Sequence, residues 1–309
     1  MSQNSTIFLT GSSGFVGASL LEKLMGIGVN VKLGLRDTSV PNLTCETVQL
    51  DLAKEICIDL KNVDVLVHLA GVAHRPSASQ ESYDLINHKA TLLLAKTASD
   101  QGVKRFIFLS SIGVNGNTSS VSKPFTSKSV PAPHNDYARS KYDAELGLRE
   151  LGRVSSMEIV IIRPPLIYGN SAPGNFSKLV RLVQFGLPLP LSALENKRSF
   201  IGITNMCSFI CKVIDLNLTK LGKCEIFLVS DREVISTAKL ISAIGKSRGK
   251  SVFNIPFSFK FISFILTFLK LDNIKVSLLG DLVIDSSYAR QTVDWDPNLT
   301  VIQELNNHI

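Results

Sequence analysis

A glycine-punctuated turn close to the amino terminus constrains this chain more than any other feature. Residues Thr6 to Gly17 read TIFLTGSSGFVG. The apolar run Ile7, Phe8 and Leu9 leads directly into Gly11, Gly14 and Gly17, and a helical apolar pattern follows over Ala18 to Gly26. This is how a strand, a tight turn and a helix are written. Gly11 suits a sharp turn off the strand, Gly14 lets backbone approach a pyrophosphate, and Gly17 lets the helix pack against the sheet. The amino end of that helix, Phe15 and Val16, offers free N–H groups and a positive dipole end to phosphate oxygens. The spacing is G-x-x-G-x-x-G rather than G-x-G-x-x-G, and glycine-rich turns of either kind also occur without a ligand.

Behind the turn, strands and helices alternate. Strands are expected at Val29 to Leu35, Thr47 to Leu50, Asp64 to Leu69 and Arg105 to Leu109, with a helix over Tyr83 to Gln101. The fourth strand of the chain, Asp64 to Leu69, is a continuous apolar run, as a parallel strand covered on both faces requires. Five β-α steps in about 100 residues give an α/β fold, a Rossmann-like doubly wound parallel sheet with right-handed crossovers. From Pro164 onward the alternation is lost and Pro and Gly become frequent. The expected division is a dinucleotide-binding domain over 1–163 and, over 164–309, mainly a smaller substrate lobe. Strands such as Glu225 to Val229 return to the main domain, and a helix starts near Ser236 and Thr237.

Three positions on this frame address a nucleotide. Arg36 ends the second strand, where an arginine suits a ribose 2′-phosphate and an acid suits the free hydroxyl. Arg36 favours NADP, whereas its neighbour Asp37 would favour NAD if the register moved by one residue. Asp51, before Leu52, can accept from an adenine amino group or cap a helix beginning at Ala53. Leu69, Ala70 and Gly71 close the fourth strand, and the small pair leaves space for a cofactor.

The fifth strand ends in Ser110 and Ser111, at the edge where ligands of such sheets bind. After a polar loop from Val114 to Asn135, a helix opens with Tyr137 and Lys141, four apart and therefore on one face. A free tyrosine has a pKa near 10, so service as a base near neutrality needs a fall of about three units, roughly 4 kcal/mol. A lysine ammonium one turn away, together with the charge of an oxidised nicotinamide, can supply that shift. Ser111 would then hold the reacting oxygen while Tyr137 moves its proton.

These motifs resemble the extended short-chain dehydrogenase/reductase family, the nucleotide-sugar epimerases, dehydratases and reductases. The resemblance runs through Thr10 to Gly17, Asp51-Leu52, His68 to Gly71, Asn87, Phe108 to Ser111 and Tyr137-x-x-x-Lys141. It continues in Arg163 to Gly169, Arg198 to Ile201 and Asp294 to Pro297. It implies Ser111, Tyr137 and Lys141 as the catalytic set, Asn87 as a structural or cofactor-side residue, and Asn175 and Arg198 as contacts to a substrate diphosphate. From the residues alone, Arg198 could equally be an exposed loop arginine and Asn175 a helix cap for Phe176 to Phe185. The cofactor set is then Gly11, Gly14, Phe15, Val16, Gly17, Arg36, Asp51, Leu52, Leu69, Ala70, Gly71 and Asn87, with Tyr137 and Lys141. A homodimer through a helix pair is also implied.

Dehydratases of this family carry an acidic pair just after the catalytic serine or threonine, and Ile112-Gly113 stand there instead. Two C4 reactions remain. Pro173 to Phe176, Pro188 to Leu191 and Arg198-Ser199 resemble the branch that reduces a UDP-4-keto-6-deoxy-N-acetylhexosamine with NAD(P)H for surface polysaccharide. The alternative is a UDP-sugar 4-epimerase of the UDP-glucose or UDP-N-acetylglucosamine type, and a cofactor-binding protein without turnover is a third reading.

The remaining classes are disfavoured by composition. A net charge of +7 fits anionic small molecules, and Lys and Arg are scattered without the aromatic interleaving of a nucleic-acid site. Cys45, Cys57, Cys207, Cys211 and Cys224 have no zinc spacing, so no metal is expected. No signal-peptide pattern opens the chain, which makes a cytoplasmic address the expectation. Phe253 to Leu271 is rich in Phe, Ile and Leu, but Pro256 and Lys260 interrupt it. It reads as a buried or surface-seated helix rather than a membrane anchor.

Overall fold

The computed structural model describes residues 5–38, 45–72, 78–186, 194–217, 222–250, 252, 267–268 and 272–307. Its centre is a seven-stranded sheet built from β1 (Thr6–Thr10), β2 (Asn30–Leu35), β3 (Glu46–Gln49), β4 (Val65–His68), β5 (Arg105–Leu109), β6 (Glu158–Arg163) and β10 (Cys224–Leu228). The order is β10-β6-β5-β4-β1-β2-β3, and every pairing is parallel. The chain works outward from β1 to β3 and then returns to β4 on the other side of β1. The topological switch point, where open sheets of this kind bind ligands, therefore lies between β1 and β4.

The expected strands are present with ends displaced by at most one residue, and Glu225 to Val229 corresponds to β10 at the sheet edge. Two differences concern helices. α1 (Phe15–Gly26) begins at Phe15 rather than Ala18, so Phe15 and Val16 form its first turn. The helix expected over Tyr83 to Gln101 instead begins at Gln80: α2 (Gln80–Tyr83), a π-helical turn over Asp84–Lys89 and α3 (Ala90–Asp100) follow one another without a break.

Both faces of the sheet are covered. On one, α1 buries Leu20 and Leu24 against α6 (Ile203–Asp215), and Met206, Phe209 and Ile210 share a core with Ile7, Leu9 and Trp295. On the other, Leu94 and Ala95 of α3 and Ala144 and Leu148 of α4 (Asp136–Val154) meet Phe8, Leu66 and Phe106. The apolar β1 residues supply both cores because alternate side chains leave opposite faces. A separate core joins Tyr168 of β7 (Ile167–Tyr168), Phe176 of α5 (Asn175–Gln184), and Leu240 and Ile241 of α7 (Thr237–Ser247). Segments after residue 164 thus contribute to the main core as well as to a lobe of their own. β8 (Arg198–Ser199) and β9 (Ile201–Gly202) form small pairs with β11 (Val234–Ile235) and β7 respectively.

The segment Phe253 to Leu271 falls outside the described residues, except for Thr267 and Phe268, of which Phe268 is 76% exposed. Pro188 to Leu191 is outside them as well. Among the described residues no helix is long and apolar enough to cross a membrane, and no three His, Cys, Asp or Glu side chains gather as a metal site. Cys207 and Cys211 are buried on α6, and burial pushes their thiols up to about 12 and about 11, which keeps them protonated and unreactive.

Candidate active site

The turn after β1 is built by sterics. Gly11 has φ +75, and a Cβ there would lie 2.6 Å from the Ala70 nitrogen, so the turn passes directly over the end of β4. A Cβ on Gly17 would lie 2.0 Å from the Gly11 carbonyl oxygen. Gly17 is therefore needed for the helix to close on its own turn, rather than on the sheet as its spacing implies. Gly14 is different: a Cβ there would meet only the Gly11 carbonyl oxygen, at 3.3 Å, leaving its outer side open. Gly14 is also the N-cap of α1, and no side chain caps that helix. The first turn of α1 thus presents backbone donors and a positive dipole end at the switch point, which fits a dinucleotide pyrophosphate.

The neighbouring edge is pinned from below. His68, fully buried in β4, lies 2.7 Å from Thr10 Oγ1 through Nδ1 and 3.0 Å from Thr91 Oγ1 through Nε2. Burial, reinforced by the charge on Lys141, lowers its pKa to about 3, so the ring is neutral and works as a hydrogen-bond bridge. Asn87, on the π-helical turn, accepts from Val72 N at 2.8 Å and donates to Val72 O at 3.0 Å and to Ser140 Oγ at 3.2 Å. These bonds tie the segment after Gly71 to α4.

Arg36 is exposed just beyond the carboxyl end of β2. Asp51 begins a turn rather than capping a helix: its Oδ1 accepts from Ala53 N at 3.0 Å, and Leu52 follows within that turn. Asn175 is the first residue of α5 and is exposed, because Gly174 with φ +71 takes the cap position. Arg198 donates to the Gly280 carbonyl at 2.7 Å, at the carboxyl end of the helix Asp272–Leu279, where a cation complements the dipole.

Ser111, Tyr137 and Lys141 come to the same edge. Ser111 is the N-cap of a single 3-10 turn over Ile112–Val114, its Oγ accepting from Gly113 N at 3.1 Å. A Cβ on Gly113 would lie 3.3 Å from both Ser111 Oγ and the Ala138 Cβ, so the serine turn packs against the first turn of α4. That turn is fixed by Asn135, whose side chain accepts from Ala138 N at 2.8 Å. The Tyr137 ring meets Tyr83 edge to face with centroids 6.0 Å apart. Lys141 Nζ donates to Leu109 O at 3.0 Å and sits 4.6 Å from the centroid of the Phe108 ring.

The electrostatics depart from the expected fall in the tyrosine pKa. Burial, with a smaller contribution from Tyr83, pushes the Tyr137 phenol up to about 12, while burial pulls Lys141 down to about 8 against the opposing pull of Glu145. In the free protein desolvation outweighs the lysine, so the positive charge of a bound oxidised cofactor has to supply the rest. Sequence reasoning also missed three groups under these residues: His68 as a bridge, Glu145 as a buried acid, and Ser110 as the serine that faces inward. The spacing Tyr137, Lys141, Glu145, each four apart, was the available signal for the acid.

Residues 7–223 match the model of the NAD dependent epimerase/dehydratase family. The chain belongs to that family. A UDP-glucose 4-epimerase of Vibrio cholerae is 36% identical over 304 residues, covering 96% of this chain and 92% of that protein. Among solved structures, a UDP-glucuronic acid 4-epimerase from Bacillus cereus in complex with NAD superposes with a TM-score of 0.77 at 20% identity, covering 97% of this chain and 96% of that one. A second, RMD from Pseudomonas aeruginosa complexed with NADPH, has a TM-score of 0.73 at 20% identity over 98% and 97% of the two chains. The structural matches establish the fold. Family membership makes the chain an NAD(P)-dependent nucleotide-sugar enzyme of the epimerase, dehydratase and reductase group.

Proposed function

We propose that this chain interconverts the C4 epimers of a UDP-linked hexose, retaining its cofactor between half-reactions. The observation that supports this reading is that Lys141 of α4, one turn after Tyr137, bonds the end of β5 that leads into Ser111, with no carboxyl at Ile112 or Gly113 to expel a hydroxyl. The similarity to a UDP-glucose 4-epimerase along nearly the whole chain supports epimerisation over the other C4 reaction. The turn from Gly11 to Gly17 and the edge from Leu69 to Gly71 would hold the cofactor, with Arg36 and Asp51 toward its adenosine end. A bound nicotinamide supplies the acceptor and donor of hydride.

The residues do the rest. Ser111 Oγ hydrogen-bonds the C4 oxygen, and Tyr137 Oη takes its proton and later returns it. Lys141, charged at neutral pH, is the protein's own contribution to stabilising phenolate. Asn175 and Arg198 are proposed to face the substrate diphosphate. The exposed side chains of Leu85, Leu93 and Leu146, on the π-helical turn, α3 and α4, support a homodimer through these helices.

Reduction of a UDP-4-keto sugar is a second reading, favoured by one observation: Arg36 is exposed just after β2, where an arginine suits the 2′-phosphate of a dissociable NADPH. Incubating the purified protein with UDP-hexoses separates the two. Interconversion without change in nicotinamide absorbance supports the epimerase, whereas consumption of NADPH only with a 4-keto sugar supports the reductase.

A further inference from the structure

Beneath the three site residues lies a buried polar cluster that the proposed chemistry does not use. Glu145 is fully buried on α4, one turn beyond Lys141. It accepts from Ser110 Oγ at 2.5 Å and from Arg163 Nε at 2.9 Å, and Arg163 Nη2 closes a second contact to its other oxygen. Arg163 Nη1 continues to Asn115 Oδ1 at 2.9 Å. Ser110 immediately precedes Ser111, the cap of the 3-10 turn, and Asn115 immediately follows that turn. Two backbone bonds complete the frame, Ser110 N to Ile162 O at 2.8 Å and Ile112 N to Pro164 O at 2.9 Å.

We propose that Glu145 is a positioning residue: through Ser110 and Arg163 it clamps both ends of the Ser111 turn to the helix bearing Tyr137 and Lys141. This rests on the reading of Ser111, Tyr137 and Lys141 as the reacting set. The two serines divide the work because adjacent residues at a strand end face opposite ways. Ser110 points in, to Glu145, and Ser111 points out, to the reacting edge. One acid thereby fixes the spacing between the group that holds the substrate oxygen and the group that moves its proton. A loosening of such a spacing is felt in the rate more than in binding.

The charges facing this cluster are few. Lys141 meets the Leu109 carbonyl and Phe108 ring from β5, and it is within electrostatic reach of Glu145 on its own helix and of neutral His68 on β4. Glu145 meets Arg163 from β6, Ser110 from the end of β5, and Lys141, and its charge also reaches Cys224 of β10. Glu145, ion-paired with Arg163, adds a negative charge that favours the ammonium form of Lys141.

The test follows the titration of Lys141 by NMR of isotope-labelled lysine, assigned with Lys141→Met, alongside steady-state kinetics. In Glu145→Gln the Lys141 pKa is expected to fall, because the carboxylate is gone and the Arg163 charge it paired is left uncompensated, with kcat down more than about tenfold and KM little changed. Glu145→Asp keeps the charge, so the titration stays near its original position while kcat still falls. Ser110→Ala leaves the ion pair intact and is expected to lower kcat several-fold without moving the titration. A folded Glu145→Gln with an unmoved Lys141 titration would overturn the charge coupling between the Glu145–Arg163 pair and Lys141. Wild-type kcat in Ser110→Ala would overturn the clamp, and that variant decides the point if Glu145→Gln does not fold. The titration needs no substrate, so a wrong substrate assignment would leave it unaffected and show up as inactivity of the wild type alone.

Discussion

At the scale of single residues, protonation decides what the site can do. Tyr137 sits at about 12 in the free protein, so removing its hydroxyl removes a proton carrier and little else. Tyr137→Phe should lower kcat by about a hundred- to ten-thousand-fold, while a cofactor titration gives nearly the wild-type affinity. Lys141 sits at about 8, below its ordinary 10.5, and its charge is lost as pH rises through that value. The kcat/KM profile should therefore fall on the alkaline side from about pH 8, and the limb should vanish in Lys141→Met. Stability should show the opposite slope. The folded state binds fewer protons at Lys141 than the unfolded chain between about 8 and 10.5, so the free protein gains stability across that window. The placement of Tyr137 and Lys141 on one helix was legible from their four-residue spacing, and that of Ser111 from the end of an apolar strand. The burial of Ser110, Glu145 and Arg163 was not, since spacing puts Glu145 on the face of Lys141 but a serine, a glutamate and an arginine carry no mark of burial until three elements bring them together. Arg105 makes the same point: it opens β5 fully buried, with Nη1 2.5 Å from Val213 O at the end of α6. No local pattern announces that contact.

At the scale of elements, the glycine turn is where sterics and function coincide. Gly17→Ala would drive a methyl into the Gly11 carbonyl, so it should destabilise the protein by about 1 to 3 kcal/mol in denaturant unfolding and weaken cofactor binding. At Gly26, at the other end of α1, an added methyl would meet nothing within 4 Å. Gly26→Ala should instead stabilise by up to about 1 kcal/mol, and equal losses at both positions would contradict the steric account. The strands of the sheet were readable because fully buried parallel strands are continuous apolar runs. The π-helical turn over Asp84–Lys89 was not, because periodicity specifies a helical face and not the insertion of one residue into its ladder. That turn carries Asn87, whose bonds to Val72 and Ser140 justify the irregularity.

At the scale of the whole molecule, the sequence separates two halves more sharply than packing does. The loss of alternation after Pro164 is real in the chain, yet α6, β10 and Trp295 rejoin the main core, since the helix and the tryptophan bury their apolar faces against the same side of the sheet as α1. Nothing in the pattern of a helix tells which of two cores it will join. The proposed dimer surface is an element of the same kind, apolar and exposed in one chain. Leu93→Glu combined with Leu146→Glu should yield a monomer in analytical ultracentrifugation, and an unchanged dimer would place the interface elsewhere. Arg36 after β2 is proposed to set cofactor choice, and Arg36→Asp should shift the ratio of NADP to NAD affinity toward NAD. The central claim, redox chemistry at C4 without net consumption of cofactor, is tested most directly by following UDP-glucose over time by NMR with the purified protein and catalytic NAD(P). Accumulation of UDP-galactose to equilibrium with no net change in nicotinamide absorbance is the predicted result. No interconversion of UDP-hexoses, with stoichiometric loss of NADPH on a 4-keto sugar, would contradict it.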